Sequence, residues 1–471
     1  MEAVTITLIV FIIAILIMAV IYRKWAVSIE SYVVAKRAAN PWLAGLALFS
    51  TYNSAWAVLG GPGVCYHYGI VEFATFIGWA IGVFLILWYY LGSIRDLGAK
   101  YGATGLASFM EAYYGKRYVG VIGGIIAWYA TLFYLVGQIK GIGLVFSYGT
   151  GVRYDIAALM GVIIALIYLT LSGLRAVLFV DALCTLIMMA FCFCSLYLLF
   201  ALGGGNILNT LNTMYRFDPK TIYPTGEPYT TDPITLWIFS TIVYSMWQFT
   251  PYAWQNYLSL RSSRKTDLSI YVTLATISGA FITWVSILGP VGRVFLPYEL
   301  ADPDTVVLEV SRYFLPALYP VFICGLFATV LATLDSALLA AATDFHHAIK
   351  DIVKPLEKRI GSVNTLRIIL IGTSILVCYF AIVYMPVYMV YTMLIGMTGV
   401  SAALTGPLAV GLKWRKDPLA AVISLIMSLA IAQLLVFYGI TPWLTGCFVG
   451  LVLSAIIYIT ITLTRSHRVR Q

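Results

Sequence analysis

The sequence contains little charge. Only 10% of its 471 residues are Asp, Glu, Lys or Arg, and 61% are hydrophobic, whereas soluble globular domains carry about 25% charged residues. So few charges do not cover a water-exposed surface, which excludes a soluble protein. A spanning helix needs about 20 apolar residues, so the length accommodates about a dozen spans and no sizeable soluble domain.

Residues typical of catalysis and metal binding are also few. The four histidines, His67, His346, His347 and His467, include no helical i, i+4 pair of the kind that binds zinc. The seven cysteines show no pairing or metal spacing. These absences argue against an enzyme. The net charge of +9 would indicate a nucleic-acid partner for a soluble chain, but in a membrane protein its distribution between loops matters more, and no nucleic-acid partner is expected.

Long apolar runs are what the chain has instead. Thirteen of them are expected to span the bilayer, at about 4–21, 41–66, 70–92, 118–148, 155–172, 176–203, 234–257, 268–292, 316–343, 365–384, 387–412, 418–437 and 441–464. We therefore predict an all-α polytopic membrane protein of about 13 transmembrane helices. The first run is preceded by Glu2 and lacks a basic leader, so it is interpreted as an uncleaved span and not as a signal peptide.

Positive charge is distributed unevenly over the loops. With an outward N-terminus, the predicted inner loops hold most of the Lys and Arg residues, such as Arg23–Lys24 and Arg264–Lys265. The predicted outer loops hold only Arg153, Arg216, Lys220, Arg293 and Arg312. Because basic loops stay in the cytoplasm, the pattern predicts a cell-membrane protein with its N-terminus outside and its C-terminus cytoplasmic. The long outer segments at about 204–233 and 293–315 are predicted to be lids or short surface helices.

One apolar run contains a polar interruption. Residues 50–54 (STYNS) are followed by 60–63 (GGPG) within the run at 41–66. Lipid offers no partners to backbone N–H and C=O groups, so unwound backbone is tolerated only where it is buried in protein or lines a cavity. We interpret the stretch as a broken helix at a binding site, because interrupted helices mark transporter sites. The plainer interpretation is a Gly/Pro kink used for packing.

Three ionisable residues lie well inside the apolar runs, namely Lys140, Asp181 and Asp335. A charge in the middle of a membrane costs at least about 2.5–3.5 kcal/mol, so each of them needs a partner or a function. The two acids lie towards the inner ends of their spans, whereas Lys140 lies somewhat outward of the middle. We expect the acids and the lysine to serve different ligands.

The ninth apolar run, at about 316–343, has a polar face. Small and hydroxyl-bearing side chains recur there at helical spacing, at Thr329, Ala332, Thr333, Ser336 and Ala340. Close helix packing through small residues is one explanation. Asp335 flanks the same face, and oxygen ligands suit a hard cation such as sodium, which favours an ion site.

Four stretches together resemble the sodium/solute symporter family, which includes bacterial proline, sialic acid and galactose symporters. They are Phe49–Gly63; Gly173–Val177 with Val180-Asp181; Pro251–Asn256 with Arg261–Thr266; and Ala328–Ala337. The resemblance covers essentially the whole chain, as a single transporter domain at 1–471. It implies a LeuT-like fold of two inverted five-helix repeats, at about 41–203 and 234–413. One extra N-terminal helix and two extra C-terminal helices are expected at about 4–22 and 418–464.

The resemblance also implies interruptions and a sodium site. The first helix of each repeat is expected to break, near Tyr52–Pro62 and Trp247–Pro251. In similar proteins sodium is held where the first broken helix meets the eighth core helix. Carried over to this sequence, those positions are Ser50, Asn53, Thr329, Ala332 and Thr333. Ala332 departs from the family pattern, which has Ser or Thr there, so one hydroxyl ligand is missing.

A second cation position is implied by the same resemblance. Some relatives use an acid equivalent to Asp181 together with hydroxyls at the positions of Asp335 and Ser336. This chain therefore has two carboxylates where relatives have one. Two neighbouring carboxylates do not both stay ionised without a cation between them. Either sodium binds with them or a proton is shared.

Lys140 suggests the chemistry of the solute. The resemblance places it on a substrate-facing helix, where a sialic acid symporter has a basic residue one helical position away that holds a carboxylate. An unpaired lysine in mid-membrane is best stabilised by an incoming carboxylate, so the predicted solute is a small organic anion. Further residues expected at the solute site are Tyr52, Trp56, Gln138, Tyr244, Trp247 and Gln248.

Together, these expectations predict that the protein is a secondary active symporter. It is expected to use an inward sodium gradient to take up a small organic solute. Its expected partners are the solute and the lipid bilayer, with no obligate protein partner. Three alternatives stay open. The first is a proton-coupled transporter of the same fold, and the second is a sugar or zwitterionic amino-acid symporter in which Lys140 pairs with an internal group or a backbone carbonyl. The third is a membrane sensor derived from a transporter.

Overall fold

The computed structural model describes residues 2–384 and 389–468, apart from the side chains at 280–282, 397–398 and 467–468. These residues form helices and connecting segments, and the only β-pairing among them is an isolated bridge between Ala39 and Leu260. The α-helices of the described chain are, in order, α1 (Glu2–Tyr22), α2 (Ile29–Val34), α3 (Pro41–Tyr52), α4 (Gly61–Tyr68), α5 (Val71–Lys100), α6 (Leu106–Tyr114), α7 (Arg117–Thr150), α8 (Tyr154–Ser172), α9 (Leu174–Leu202), α10 (Ile207–Phe217), α11 (Pro233–Met246), α12 (Pro251–Ser259), α13 (Lys265–Ile282), α14 (Leu288–Phe295), α15 (Val306–Phe314), α16 (Tyr319–Ala348), α17 (Lys350–Ile360), α18 (Ser362–Val383), α19 (Met389–Leu404), α20 (Pro418–Phe437) and α21 (Trp443–Arg468). The predicted all-α class is confirmed.

Eleven helical segments of the described chain are long and apolar enough to cross a membrane. The predicted runs at 41–66 and 234–257 are absent from these eleven because each is divided into shorter helices. The total of thirteen spans stays a prediction. In the predicted outer segments, α10 and α15 are the short helices that were expected there.

The first interruption follows α3. Helix α3 ends at Tyr52, the next residue Asn53 has φ −90° and ψ 90°, and the chain resumes as a π-helix at Trp56–Gly60 before α4. Asn and Ser bond readily to nearby backbone, which favours helix ends over helix interiors. Pro62 follows at the start of α4, where its missing N–H costs little. The predicted break near Tyr52–Pro62 is confirmed.

The second interruption separates α11 from α12. A short 3₁₀ turn at Trp247–Phe249 follows α11, and Thr250 is extended, with φ −66° and ψ 151°. Pro251 disfavours helical backbone at the residue before it and supplies the first residue of α12. The predicted break near Trp247–Pro251 is therefore confirmed as well.

Helix α16 is the centre of the packing. It contacts α7 and α9 along much of its length and also contacts α3, next to the first interruption. Its side chains from Phe322 to Asp344 are all buried. Small residues such as Ala332 and Ala340 let the neighbouring helices approach closely. This packing holds the end of α3 against the polar face of α16.

Helices α5 and α11 pack closely because glycines line their contact. A Cβ added to Gly82 would clash with Ser245 Oγ and would lie 2.8 Å from Ser245 Cα. At Gly78 an added Cβ would lie 2.6 Å from Ser240 Oγ. The backbones of the two helices are therefore too close for any side chain at Gly82.

Gly82→Ala should lower the melting temperature of the purified protein in detergent. Overpacking of this kind costs about 1–3 kcal/mol, since Ser245 presents backbone atoms that do not rotate away. Gly372→Ala on α18 is the matched control, because a Cβ added there would have no atom within 4 Å and Ala favours helix. If both variants melt like the wild type, α5 and α11 do not pack at Gly82.

Candidate functional site

A small cavity lies between the two broken helices. Its lining residues are Tyr52, Ser54, Trp56, Ala57, Phe76, Trp79, Tyr134, Tyr244, Trp247, Gln248 and Tyr252. Eight of these eleven side chains are aromatic. Five of the predicted solute-site residues are thus brought to one cavity, namely Tyr52, Trp56, Tyr244, Trp247 and Gln248. The aromatic residues from α5 and α7 were missed, because aromatics in apolar runs are common and carry no positional signal.

Three rings form one wall of the cavity. The ring centroids of Trp56 and Trp247 are 4.9 Å apart, those of Tyr244 and Trp247 are 5.1 Å apart, and those of Trp56 and Tyr244 are 5.9 Å apart. A further wall is the stacked pair of Tyr134 and Tyr252, whose centroids are 5.6 Å apart. The cavity is therefore lined by aromatic rings that pack against one another.

Tyr52 connects the two broken helices directly. Its hydroxyl donates to Gln248 Oε1 and lies 2.7 Å from the Tyr257 hydroxyl. Its ring packs edge-on against Trp79, with centroids 5.1 Å apart. Helix α3 is therefore joined to α12 and to the 3₁₀ turn before it through this hydrogen-bonded group.

Gln138 lies beside the cavity and forms a hydrogen bond with the unwound backbone of the first interruption. Its Oε1 accepts a hydrogen bond from the Ala55 N–H at 3.1 Å. The Trp56 N–H is satisfied locally by Ser54 Oγ at 3.2 Å. Gln138 therefore stabilises the unwound backbone, and it is not among the described residues that line the cavity.

Glu72 is a buried carboxylate that sequence reasoning missed. Its oxygens accept hydrogen bonds from Trp56 Nε1 at 3.1 Å, from Thr75 Oγ1 at 2.5 Å and from the Tyr229 hydroxyl. All three donors are neutral. The available signal was a lone acid in the first turn of the third apolar run, a few residues from Gly69.

Thr333 joins the polar face of α16 to the end of α3. Its Oγ1 lies 3.1 Å from the Thr51 carbonyl and 3.4 Å from the carbonyls of Asn53 and Thr329. The carbonyls freed at the helix break therefore converge with a hydroxyl, and oxygen atoms of these types are ligands for hard cations. Sequence reasoning found this juxtaposition.

The other predicted residues of this site surround the same break. Ser50 Oγ donates to the Asp181 carbonyl at 2.9 Å, and Asn53 Nδ2 donates to Ser278 Oγ at 2.7 Å. Asn53 Oδ1 is buried and has no hydrogen-bond donor among the described residues. Ala332 is fully buried and offers only its backbone oxygen to a cation.

Asp181 lies beside this site. Its Oδ2 accepts hydrogen bonds from Thr51 Oγ1 at 3.2 Å and from Ser336 Oγ at 3.3 Å. Its Oδ1 is buried and lacks a donor among the described residues. A carboxylate with one unsatisfied buried oxygen requires a cation or a proton.

Asp335 is oriented by α8. The Tyr168 hydroxyl donates to its Oδ2, and its Oδ1 has no donor within the described part of the chain. The side chain is fully buried. Tyr168 was not anticipated, because only the packing of α8 against α16 brings it there.

Lys140 does not line the cavity, and it is already paired. Its Nζ lies 2.7 Å from Asp304 Oδ2 and 3.0 Å from Asp302 Oδ2. Asp304 Oδ2 also accepts a hydrogen bond from the Met389 N–H at 2.9 Å. The expectation of an unpaired lysine is wrong, because the connection between α14 and α15 brings two carboxylates to it. The open alternative of pairing with an internal group describes what is observed.

The loop that carries Asp304 also packs on the first broken helix. A Cβ added to Gly63 would lie 2.5 Å from Asp304 Oδ1. Burial raises the pKa of Asp304 to about 6, although Lys140 acts to lower it. The pairing of Asp304 with Lys140 fixes the loop against α4 and α7.

A second ionic cluster joins helices where α7 begins. Glu111 on α6 contacts Arg117 Nη1 at 2.9 Å, His347 Nε2 at 2.9 Å and Lys350 Nζ at 2.7 Å. Partial burial acts to raise the pKa of Glu111, but the hydrogen bonds from Lys350, His347 and Arg117 hold it below its usual value. Ionic contacts therefore connect the helices near both ends of the bundle.

Comparison with known proteins identifies the family to which the chain is similar. The sodium:solute symporter family matches residues 32–417. The chain is 23% identical over 416 residues to the sodium/pantothenate symporter of Escherichia coli (strain K12), which covers 84% of this chain and 81% of that protein. It is 22% identical over 367 residues to sodium/proline symporter 2 of Staphylococcus saprophyticus, which covers 74% of this chain and 70% of that protein.

A solved structure shares the fold. It is the substrate-bound outward-open state of a Na⁺-coupled sialic acid symporter, which superposes with a TM-score of 0.79 at 17% sequence identity and covers 98% of this chain and 97% of that one. The likeness confirms the LeuT-like architecture. The family match covers most of the sequence and includes both broken helices and the polar face of α16. The chain therefore belongs to the sodium:solute symporter family, and it is a membrane transporter and not an enzyme.

Proposed function

We propose that this protein couples the inward movement of sodium to the uptake of a small organic solute that carries a carboxylate. The observation that supports the proposal best is the meeting of a broken helix with a polar helix face, where Thr333 Oγ1 approaches the freed carbonyls of Thr51 and Asn53. The solute occupies the adjacent aromatic cavity. Alternating access then moves both ligands across the membrane as the bundle rocks around this fixed site.

Two buried acceptors support the sodium side of the proposal. Asn53 Oδ1 and Asp181 Oδ1 are buried and lack donors among the described residues. Leaving such groups unsatisfied costs free energy, which a bound cation offsets. Thr51 links the Thr333 site to Asp181, since its carbonyl accepts from Thr333 and its hydroxyl donates to Asp181 Oδ2. Sodium bound between the end of α3 and the polar face of α16 would be coordinated by both side-chain and backbone oxygens.

The carboxylate of the solute has a different partner from the one first expected. Lys140 is occupied by Asp302 and Asp304. The first turn of α12 begins without a side-chain cap, and Tyr252 in that turn lines the cavity. Helix N-termini favour negative charge because their first N–H groups lack intrahelical partners. Trp247 Nε1, which is buried and without an acceptor among the described residues, supplies a further donor.

The orientation follows from the charge of the loops. The N-terminus lies outside and the C-terminus in the cytoplasm, because most Lys and Arg residues fall on one set of alternating loops. In this orientation the Lys140–Asp304 pair belongs to the outer closure and the Glu111 cluster to the inner one. Each must open in turn during transport.

Uptake into sealed vesicles tests the function. An inward sodium gradient at fixed pH should drive accumulation of at least one solute from a panel of monocarboxylates, amino acids and sugars. A pH gradient without sodium should not. If the pH gradient alone drives uptake, Asp181 and Asp335 form a proton site; if nothing on the panel is taken up under either gradient, the transport proposal fails.

Thr333→Val should raise the sodium concentration for half-maximal uptake by about one to two decades, since it removes one oxygen ligand from a charged site. Ala332→Ser should lower that concentration by restoring the missing hydroxyl. Thr276→Val is the matched control, because its hydroxyl bonds only within its own helix, to the Val272 carbonyl at 2.8 Å. An unchanged sodium dependence in Thr333→Val would place the ion elsewhere.

Lys140→Gln should lower the melting temperature, since removal of one partner from a buried ion pair costs about 3–5 kcal/mol. Asp304→Asn in the same chain should restore part of the loss, because the unpaired carboxylate is then removed. The half-saturating concentration of a transported carboxylate should change little. A large loss of carboxylate affinity without a loss of stability would show instead that Lys140 contacts the solute.

A further inference from the structure

We propose that the cavity binds its solute through a positively charged nitrogen, held against the aromatic faces of Trp56, Tyr244 and Trp247. The inference rests on the proposed function, because it assigns a chemical class to the solute of that same site. Together with the carboxylate proposed above, it makes the solute a zwitterion, such as an amino acid or a betaine.

The lining of the cavity is suited to a cation. Eight of its eleven side chains are aromatic, and none of the described lining residues is Lys, Arg, Asp or Glu. Ring faces carry negative potential, and a cation within about 6 Å of a Trp or Tyr centroid is attracted to it. The wall of Trp56, Tyr244 and Trp247 has centroid separations of 4.9–5.9 Å, so a single positive centre reaches more than one ring.

Glu72 strengthens this wall from behind. It accepts the Trp56 Nε1–H at 3.1 Å and has only neutral donors, Thr75 and Tyr229, as its other hydrogen-bond partners. A carboxylate that accepts the indole N–H increases the electron density of the ring, which makes its face a better partner for a cation. A fully buried carboxylate without a cationic partner is costly unless it takes up a proton or positive charge comes close. In this proposal the solute supplies the positive charge.

The nearest lysine on the substrate-facing helix does not oppose a cation. Lys140 is matched by two carboxylates, Asp302 and Asp304, so the group carries one net negative charge when both acids are ionised. The acid that contacts the cavity wall is Glu72, through Trp56 Nε1. A solute with only a negative charge would face this field without a free basic side chain in the cavity lining.

Pairs of compounds that differ by one charged nitrogen test the inference. The pairs are L-proline with cyclopentanecarboxylate, glycine betaine with 3,3-dimethylbutanoate, and choline with 3,3-dimethylbutan-1-ol. In each pair the shape is nearly the same, and only the first member has a positive nitrogen. The measurement is the rise in melting temperature of the purified full chain with saturating sodium, titrated with each compound.

We expect at least one nitrogen-bearing compound to bind, and to bind at least about tenfold more tightly than its carbon analogue. The inference is overturned if the carbon analogues bind equally well, or if no nitrogen-bearing compound binds. Failure of the proposed function is a separate result, namely the absence of sodium-driven uptake of every solute on the vesicle panel. Sodium-driven uptake of an anion or a sugar alone would therefore reject the cation and keep the symporter.

Variants locate the effect. Trp56→Leu removes the ring face, Trp56→Phe keeps a weaker one, and Glu72→Gln removes the charge while keeping a hydrogen-bond acceptor. The affinity for the nitrogen-bearing compound should fall most in Trp56→Leu, and by about tenfold in Glu72→Gln, with Trp56→Phe between the wild type and Trp56→Leu. Affinity for the carbon analogue should fall clearly less. Trp237→Leu is the control, because this tryptophan on α11 is 48% exposed. Equal loss for both members of a pair would show a merely structural role and reject the inference.

Discussion

The need to satisfy unwound backbone inside the membrane determines where the other parts of this protein lie. Lipid accepts no free N–H or C=O groups, so protein must surround the breaks at Asn53 and Thr250. At the first break, Gln138 accepts a hydrogen bond from the Ala55 N–H. The Thr333 hydroxyl donates to the Asn53 carbonyl. The same packing that satisfies the backbone gathers oxygen atoms and leaves an aromatic cavity beside them. Ion site and solute site are therefore neighbours for one physical reason.

Buried charge is handled in three different ways. Lys140 is compensated within the chain by two carboxylates. Glu72 is surrounded by neutral donors. Asp181 keeps one oxygen without a donor among the described residues. Only the second and third leave charge for a ligand to compensate, since a compensated group gains little from another partner. This difference connects the ion site with Asp181 and the solute cavity with Glu72.

The outcome for each predicted site residue depends on the kind of sequence signal that pointed to it. Thr333 and Ser336 were placed by helical periodicity, and the structure directs both towards α3 or its neighbours. Tyr52 and Trp247 were placed by their position at an interruption, and both line the cavity. Lys140 was placed by its depth in the membrane and by the family resemblance, and neither says which side chains pair with it. Its proposed role changed once the loop carrying Asp304 was seen.

The sequence by itself determined the membrane class, the first helix break and the polar face of α16, and the resemblance to a known family implied the second break. The first three depend on local properties, such as the apolar length of a run, the polar residues at 50–54 or the spacing of Thr329 and Thr333. Only the tertiary structure decided which groups compensate buried charge. Lys140 and Asp304 are 164 residues apart, and Glu72 and Tyr229 are 157 apart. Such pairings result from helix packing across the bundle, which no local period encodes.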